Sequence, residues 1–143
     1  MQSYQAAVAD FDREMARLLG VNNTDLRCLE MLIGAEGEVT PRTLADHLGL
    51  TTGSVTTMLD RLERAGYIAR SPHPEDRRKV VVVATDEARR RALEMVMPLV
   101  DDSVTEVIRH FTDAELDVVE RFATRATALQ ERHTGRLREF PAG

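Results

Sequence analysis

The sequence has little of what several protein classes require. Its single cysteine, Cys28, has no second cysteine for a disulfide and cannot supply a cysteine-based metal cluster alone. No apolar run approaches the roughly 20 residues of a membrane-spanning helix. The first residues also lack the basic start and apolar stretch of a secretory signal. We therefore expect a cytoplasmic protein with no membrane partner, and one globular unit within its 143 residues.

Motifs of catalysis and of cofactor binding are missing as well. The sequence contains no G-x-S-x-G, no phosphate-binding glycine loop and no HExxH. The histidines are scattered over four predicted elements, so each is interpreted as a solvated or packing side chain and not as a metal ligand. These are His47, His73, His110 and His133. We expect no catalytic residues, no metal site and no cofactor.

Positive charge is concentrated in one segment of an acidic chain. The net charge is −5, but residues 51–79 contain six basic and four acidic side chains, a local charge of +2 that leaves −7 elsewhere. Most of the affinity of proteins for DNA is electrostatic. A basic segment in an acidic chain is therefore a candidate nucleic-acid contact.

Two closely spaced helices are predicted just before and within this basic segment. Thr40-Pro41 is a favoured helix start, and Gly49 ends the short helix predicted over residues 42–47. A second hydroxyl cap follows at Thr51 or Thr52. A helix, a tight glycine-containing turn and a second helix form the helix-turn-helix pattern.

The second helix has one apolar face and one polar face. Val55, Leu59 and Leu62 recur at helical spacing and are predicted to face the core. The opposite face has small polar side chains first and arginines later, which suits a helix that enters the major groove. Alternatively, it is an ordinary solvated face. The predicted DNA contacts on this helix are Ser54, Thr56, Thr57 and Arg61.

A β-hairpin with a basic loop is predicted next. Residues 67–70 and 79–84 favour strands, and the connecting loop contains two prolines and two arginines. An extended basic tip beside a recognition helix can enter the minor groove. The predicted contacts are Arg77, Arg78 and Lys79, and Asp76 is expected to orient one arginine through a salt bridge.

The chain begins and ends with predicted amphipathic helices. Residues 5–19 carry an apolar stripe, and a long helix capped by Thr85 continues through Pro98 with its stripe reaching Phe111. Thr112 and Glu115 form a capping box for a last helix, and the polar tail from Thr134 is expected to fray. Such stripes predict an intermolecular helix bundle in a homodimer that reads a palindrome. The alternative is that these helices pack on their own domain.

Together these features resemble the MarR family of bacterial regulators. The likeness lies in LDRL at 59–62 followed by GYIAR at 66–70, and in PEDRR at 74–78 leading through a valine strand to ATD at 84–86. It implies a mainly α (α+β) fold, a winged helix-turn-helix with N- and C-terminal dimerisation helices. We expect one domain over residues 1–143, with a DNA-binding lobe at 21–85 and dimerisation helices at 1–20 and 86–136.

The resemblance also implies a function. Members are homodimeric DNA-binding regulators, and many are repressors released by small, often phenolic ligands. Ser54, Thr57 and Arg61 would face the major groove, and Arg78 would be the minor-groove arginine. The rival interpretation is a winged-helix module that binds proteins, an anti-repressor or adaptor that stays off DNA.

A small aromatic or phenolic effector is also predicted. An aromatic or phenolic ligand would occupy a pocket between the lobe and the dimerisation helices, lined by Met15, Met31, Met95 or Met97 because methionines form adaptable walls. The alternative is that these methionines are ordinary core. Peroxide-sensing members of the family resemble one another in a reactive cysteine in the first helix, and the first helix of this chain has no cysteine. Cys28 is interpreted as a small half-buried hydrophobic residue, and the alternative is a redox sensor.

Overall fold

The computed structural model describes residues 1–76 and 78–140 of the chain. The chain folds as two units, one that ends at Val96 and another that begins at Met97. The predicted mainly α winged helix-turn-helix is confirmed. In order, the elements are α1 (Gln2–Leu19), α2 (Asn23–Gly34), α3 (Pro41–Leu48), α4 (Thr52–Arg64), β1 (Ile68–Pro72), β2 (Val80–Ala84), α5 (Asp86–Glu106), a 3₁₀ turn (Ile108–His110) and α6 (Asp113–Arg138).

Side-chain caps mark the starts of α2, α3 and α4, and a glycine marks the end of α3. The Asn22, Thr40 and Thr51 side chains each accept a hydrogen bond from the backbone amide three residues later. Gly49 ends α3 in the left-handed conformation at φ 68°, where a side chain would be strained. The turn between α3 and α4 is therefore short and fixed, and it sets the position of α4.

The two strands form an antiparallel hairpin whose register runs from Ile68 opposite Ala84 to Pro72 opposite Val80. Strand β1 runs from Ile68 to Pro72, later than the predicted residues 67–70, and Pro72 still pairs with Val80. Just before the strand, the Tyr67 carbonyl accepts a hydrogen bond from the Thr85 amide at 3.0 Å. Val39 bridges to β2 through a 2.8 Å hydrogen bond from the Val82 amide. The hairpin is thus attached to the segment before α3.

The core of the first unit gathers around α4. Val55, Leu59 and Leu62 are buried as predicted, and Met58 joins them. Helix α1 contributes only its C-terminal half, through Met15, Ala16 and Leu19. Phe11 is partly buried against this core, whereas Val8 and Leu18 of the same apolar stripe face solvent in the single chain, at 42% and 50% exposure.

The second unit consists of the end of α5, the 3₁₀ turn and α6. The capping box is confirmed, with the Thr112 amide donating to the Glu115 carboxylate at 2.8 Å. The expectation of a stripe continuing in one helix to Phe111 is wrong, because α5 ends at Glu106. The frayed tail is also wrong, because α6 extends to Arg138. Its last turns contain good helix formers and one glycine, which costs only about 1 kcal/mol.

No described residue of α6 is buried. Its large apolar side chains are roughly half exposed, and they include Val118, Val119, Phe122 and Leu129. None of the helices in the described part of the chain is long and apolar enough to cross a membrane.

Candidate DNA-binding surface

The first two turns of α4 present a row of hydroxyl groups. Ser54, Thr56 and Thr57 are all exposed. The two threonine hydroxyls donate to the carbonyls of Thr52 and Gly53, at 3.0 and 3.1 Å, so their lone pairs face outward. Such acceptors match the amino groups that adenine and cytosine show in the major groove, and the threonine methyls match that of thymine. The geometry therefore suits base contacts.

Arg61 is held more firmly than the sequence suggested. Its Nε and Nη2 atoms donate to the two carboxylate oxygens of Asp25, at 3.0 and 2.6 Å. This hydrogen bonding is the main cause that raises the pKa of Arg61. The predicted DNA-reading arginine is thus also one half of a bidentate ion pair that joins α4 to α2, and its role at DNA stays a prediction.

Arg70 links the hairpin to α4. Its guanidinium pairs with Asp60 and, at 3.1 Å, with Glu63. The Asp60 hydrogen bond is the largest cause that raises the pKa of Arg70. Sequence reasoning missed this link because it depends on how the turn at Gly66 folds β1 back on α4.

His73 organises the loop between the strands, which we call the wing (residues 73–79). Its Nδ1 accepts hydrogen bonds from the amides of Glu75 and Asp76, at 3.1 and 3.2 Å. Its Nε2 lies 2.6 Å from a carboxylate oxygen of Glu38, outside the wing. The interpretation of His73 as a solvated or packing residue therefore missed a specific role, since it shapes the wing and anchors it.

Asp76 stabilises a turn of the backbone at the basic end of the wing. The Asp76 carboxylate accepts the Arg78 amide at 3.1 Å and lies 4.0 Å from Lys79 Nζ. The Lys79 amide closes the turn on the Asp76 carbonyl at 2.9 Å. Asp76 thus contacts Lys79 and the backbone of Arg78, while its predicted salt bridge to an arginine is not formed with Arg78. Arg77 lies outside the described residues.

Comparison with known proteins identifies this arrangement. The MarR family model matches residues 21–80. YcgE of Bacillus subtilis, an uncharacterized HTH-type transcriptional regulator, is 36% identical over 129 residues, which are 90% of this chain and 82% of YcgE. The chain belongs to the MarR family. The predicted function as a DNA-binding transcriptional regulator is thereby confirmed, in a family of regulators and not of enzymes.

One further relative and two solved structures are similar to this chain, the structures in fold. The HTH-type transcriptional repressor YetL of Bacillus subtilis is 30% identical over 100 residues, which are 69% of this chain and 59% of YetL. A mutant of S. aureus MepR has the same fold, with a TM-score of 0.71 and 16% identity over 91% of this chain and 97% of that structure. MepR solved as a DNA complex gives a TM-score of 0.60 at 14% identity, over 86% of this chain and 95% of that structure.

A cavity also lies within the first unit of this MarR-family chain. It measures about 260 Å³ and has apolar walls from α1, α2 and the first turns of α5. Met15 lines it, whereas Met31 and Met95 are half-buried elsewhere and are not among the residues lining it. A role of these methionines in effector binding stays a prediction. The walls include Leu19, Leu29, Ile33, Ala92 and Val96.

Two polar residues of this cavity were not predicted. The Tyr67 hydroxyl donates to the Leu19 carbonyl at 2.8 Å and accepts a hydrogen bond from Arg91, which fixes its ring in the wall. Glu30 also lines the cavity, and burial is the main cause that raises the pKa of its carboxyl group. A helical wheel places Glu30 near the apolar side of α2, but the sequence does not show that a cavity lies there.

Proposed function

We propose that the chain is a homodimeric repressor that binds a palindromic operator and is released by a small, uncharged aromatic ligand. The observation that carries the proposal is the pairing of exposed hydroxyls on α4 with a basic wing in a chain whose net charge is −5. We assign residues 21–85 to DNA binding and residues 1–20 and 86–136 to dimerisation. DNA contacts are assigned to Ser54, Thr56, Thr57, Arg61, Arg77, Arg78 and Lys79.

Dimerisation is supported by apolar side chains that the single chain leaves uncovered. In α6, Phe122 is 57% exposed and Val119 55% exposed, at spacings that put them on one face. In α1, Val8 and Leu18 are exposed as well. Extended apolar faces of this kind in a water-facing helix mark association surfaces. A second copy is the partner that a twofold, self-complementary contact requires.

The cavity supports an effector of limited size and charge. A volume of about 260 Å³ is near the lower end for small-molecule sites, so it suits one or two aromatic rings. Glu30 is the one ionisable carboxylate among its described lining residues. An anionic ligand would be repelled there, whereas a neutral phenol can donate a hydrogen bond to that carboxylate.

The experiment that tests this function is selection of bound duplexes from a random pool, repeated with neutral phenols present. The expected result is enrichment of a palindrome, lost when an effective phenol is added. Affinity for the selected duplex should fall as salt rises, because phosphate contacts release counterions. If no duplex is enriched at low salt, the DNA-binding proposal fails and the alternative, a winged-helix protein-interaction module, is favoured.

Repression is tested separately from binding. Transcription in vitro from a promoter that overlaps the selected palindrome should decrease when the protein is added and recover with the effector. An increase in transcript would identify an activator instead.

A further inference from the structure

Asp25 is the one charged side chain that is buried in the described part of the chain, at 2% exposure. It lies in the first turn of α2, where its amide donates to the Asn22 cap at 2.8 Å. Both carboxylate oxygens are directed to Arg61, 36 residues away on α4. A buried carboxylate must be paired, and here the pairing is complete because each oxygen has one donor.

The ion pair uses only one edge of the Arg61 guanidinium. Nε and one Nη2 hydrogen face Asp25, which leaves one Nη1 hydrogen and the second Nη2 hydrogen side by side on the outer edge. The Arg61 side chain is 43% exposed, and it lines a groove together with the hydroxyl side chains of Thr51, Ser54 and Thr57. The outer edge is therefore a planar pair of donors at the hydroxyl-bearing surface of α4.

We propose that Asp25 is a positioning residue for base recognition, which holds Arg61 so that its outer edge reads a guanine. Guanine offers the acceptors O6 and N7 side by side in the major groove, and two parallel N–H donors match them. An arginine fixed in this plane loses less side-chain freedom on binding than a mobile one. It also cannot swing freely to a phosphate, so its contribution goes to selectivity. The inference rests on the proposed DNA-binding surface.

The test measures selectivity, because a purely structural ion pair would not affect it. Asp25→Asn keeps the shape of the side chain but supplies one acceptor and no charge, so Arg61 is no longer held on both nitrogens. Arg61→Lys keeps a cation for Asp25 but has no planar edge. Glu87→Gln is the control, since it neutralises a carboxylate paired with Arg90 on the exposed surface of α5 and changes the net charge equally.

Each variant is titrated with the duplex that the wild-type protein selects, with single-base replacements at every guanine, and with an unrelated duplex. We expect Asp25→Asn and Arg61→Lys to lose discrimination at the same guanine, by about 5- to 150-fold, the range for one bidentate base contact. Binding of Asp25→Asn to the unrelated duplex should be equal to or tighter than that of the wild type. Glu87→Gln should keep wild-type discrimination at all positions.

A partly unfolded variant does not obscure the outcome, because a lower active fraction weakens binding to all duplexes by the same factor and leaves their ratio unchanged. The positioning role would be overturned if Asp25→Asn kept wild-type discrimination, or if it lost discrimination at a different guanine from the one that Arg61→Lys affects. The DNA-binding function would stand in either case. Failure of the wild-type protein to select any duplex would instead overturn the function itself.

Discussion

Replacing Phe122 with aspartate should convert the proposed dimer into a monomer. Phe122 is 57% exposed in the single chain, and a phenylalanine exposes roughly 200 Å² in total, so about 110 Å² of apolar surface is available for a partner. At about 25 cal/mol per Å², full coverage stabilises by about 3 kcal/mol per copy. Because the contact is twofold, the dimer buries this surface on both copies of Phe122, and the stabilisation doubles. If half to all of that surface is covered, the loss is about 3 to 6 kcal/mol, or roughly a hundredfold to ten-thousandfold in the dimer dissociation constant.

Sedimentation equilibrium from nanomolar to micromolar concentration measures this constant directly. Thr124→Asp is the matched control, because it introduces the same charge about 160° away around α6, on the side opposite Phe122. Thr124 is also exposed. The control should dimerise like the wild type, and far-ultraviolet circular dichroism should show equal helix content in both variants.

Three outcomes would refute the reasoning. A wild-type protein that is monomeric at micromolar concentration would remove the dimer. An unchanged dissociation constant in Phe122→Asp would show that this face of α6 is not the contact. Equal dissociation in Thr124→Asp would show that any charge on the helix has the effect, so that burial of the apolar face is not its cause.

Three further predictions concern the ion pair, the thiol and the wing. Arg61→Ala should lower the free energy of unfolding by about 2 to 4 kcal/mol in urea titrations, because it leaves the buried Asp25 carboxylate without its partner. The Cys28 thiol, whose pKa burial raises from 9.0 to about 12, should react with a thiol reagent at pH 8 about a thousandfold more slowly in the folded than in the urea-unfolded protein. Arg78→Ala should weaken binding to the selected duplex by about 1 to 3 kcal/mol in fluorescence titrations and should reduce base selectivity under the wing.

Each of these has a clear contrary result. If adding Asp25→Asn to Arg61→Ala recovers no stability, the unpaired carboxylate is not the cause of the loss. A folded thiol that reacts within tenfold of the unfolded rate would return Cys28 to the redox-sensor alternative. Unchanged affinity and selectivity in Arg78→Ala would remove that residue from the DNA contact.

Local sequence rules were enough to predict most of the fold. Thr51 caps α4, Gly49 ends α3, and the capping box from Thr112 starts α6, because each of these depends only on side chains within one turn of the backbone. Spacing also placed the buried face of α4 correctly. The end of α6 differs from the prediction because a polar tail can still be helical where its residues, such as Leu137 and Arg138, favour a helix.

The partners of polar side chains could not be predicted in the same way. A helical wheel puts Arg61 on the solvent side of α4, but it does not show that Asp25 of α2 lies beneath it. Likewise, nothing in the spacing connects His73 to Glu38 or Arg70 to Asp60. These contacts join residues brought together only by packing of separate elements, so they require the folded structure.

These ion pairs change what the local charge of the basic segment means. Arg61 is neutralised by Asp25, and Arg70 is matched by Asp60 and Glu63, so two of the cations contributed by α4 and β1 are already compensated. Among the described residues of the wing, Arg78 is exposed and its guanidinium makes no ion pair. The ammonium group of Lys79 pairs only loosely with the Asp76 carboxylate, at 4.0 Å. The salt-dependent part of DNA affinity should therefore come chiefly from the wing, and base selectivity chiefly from α4. Wing substitutions should then flatten the dependence of affinity on salt, whereas hydroxyl substitutions on α4 should change the preferred sequence and leave that dependence intact.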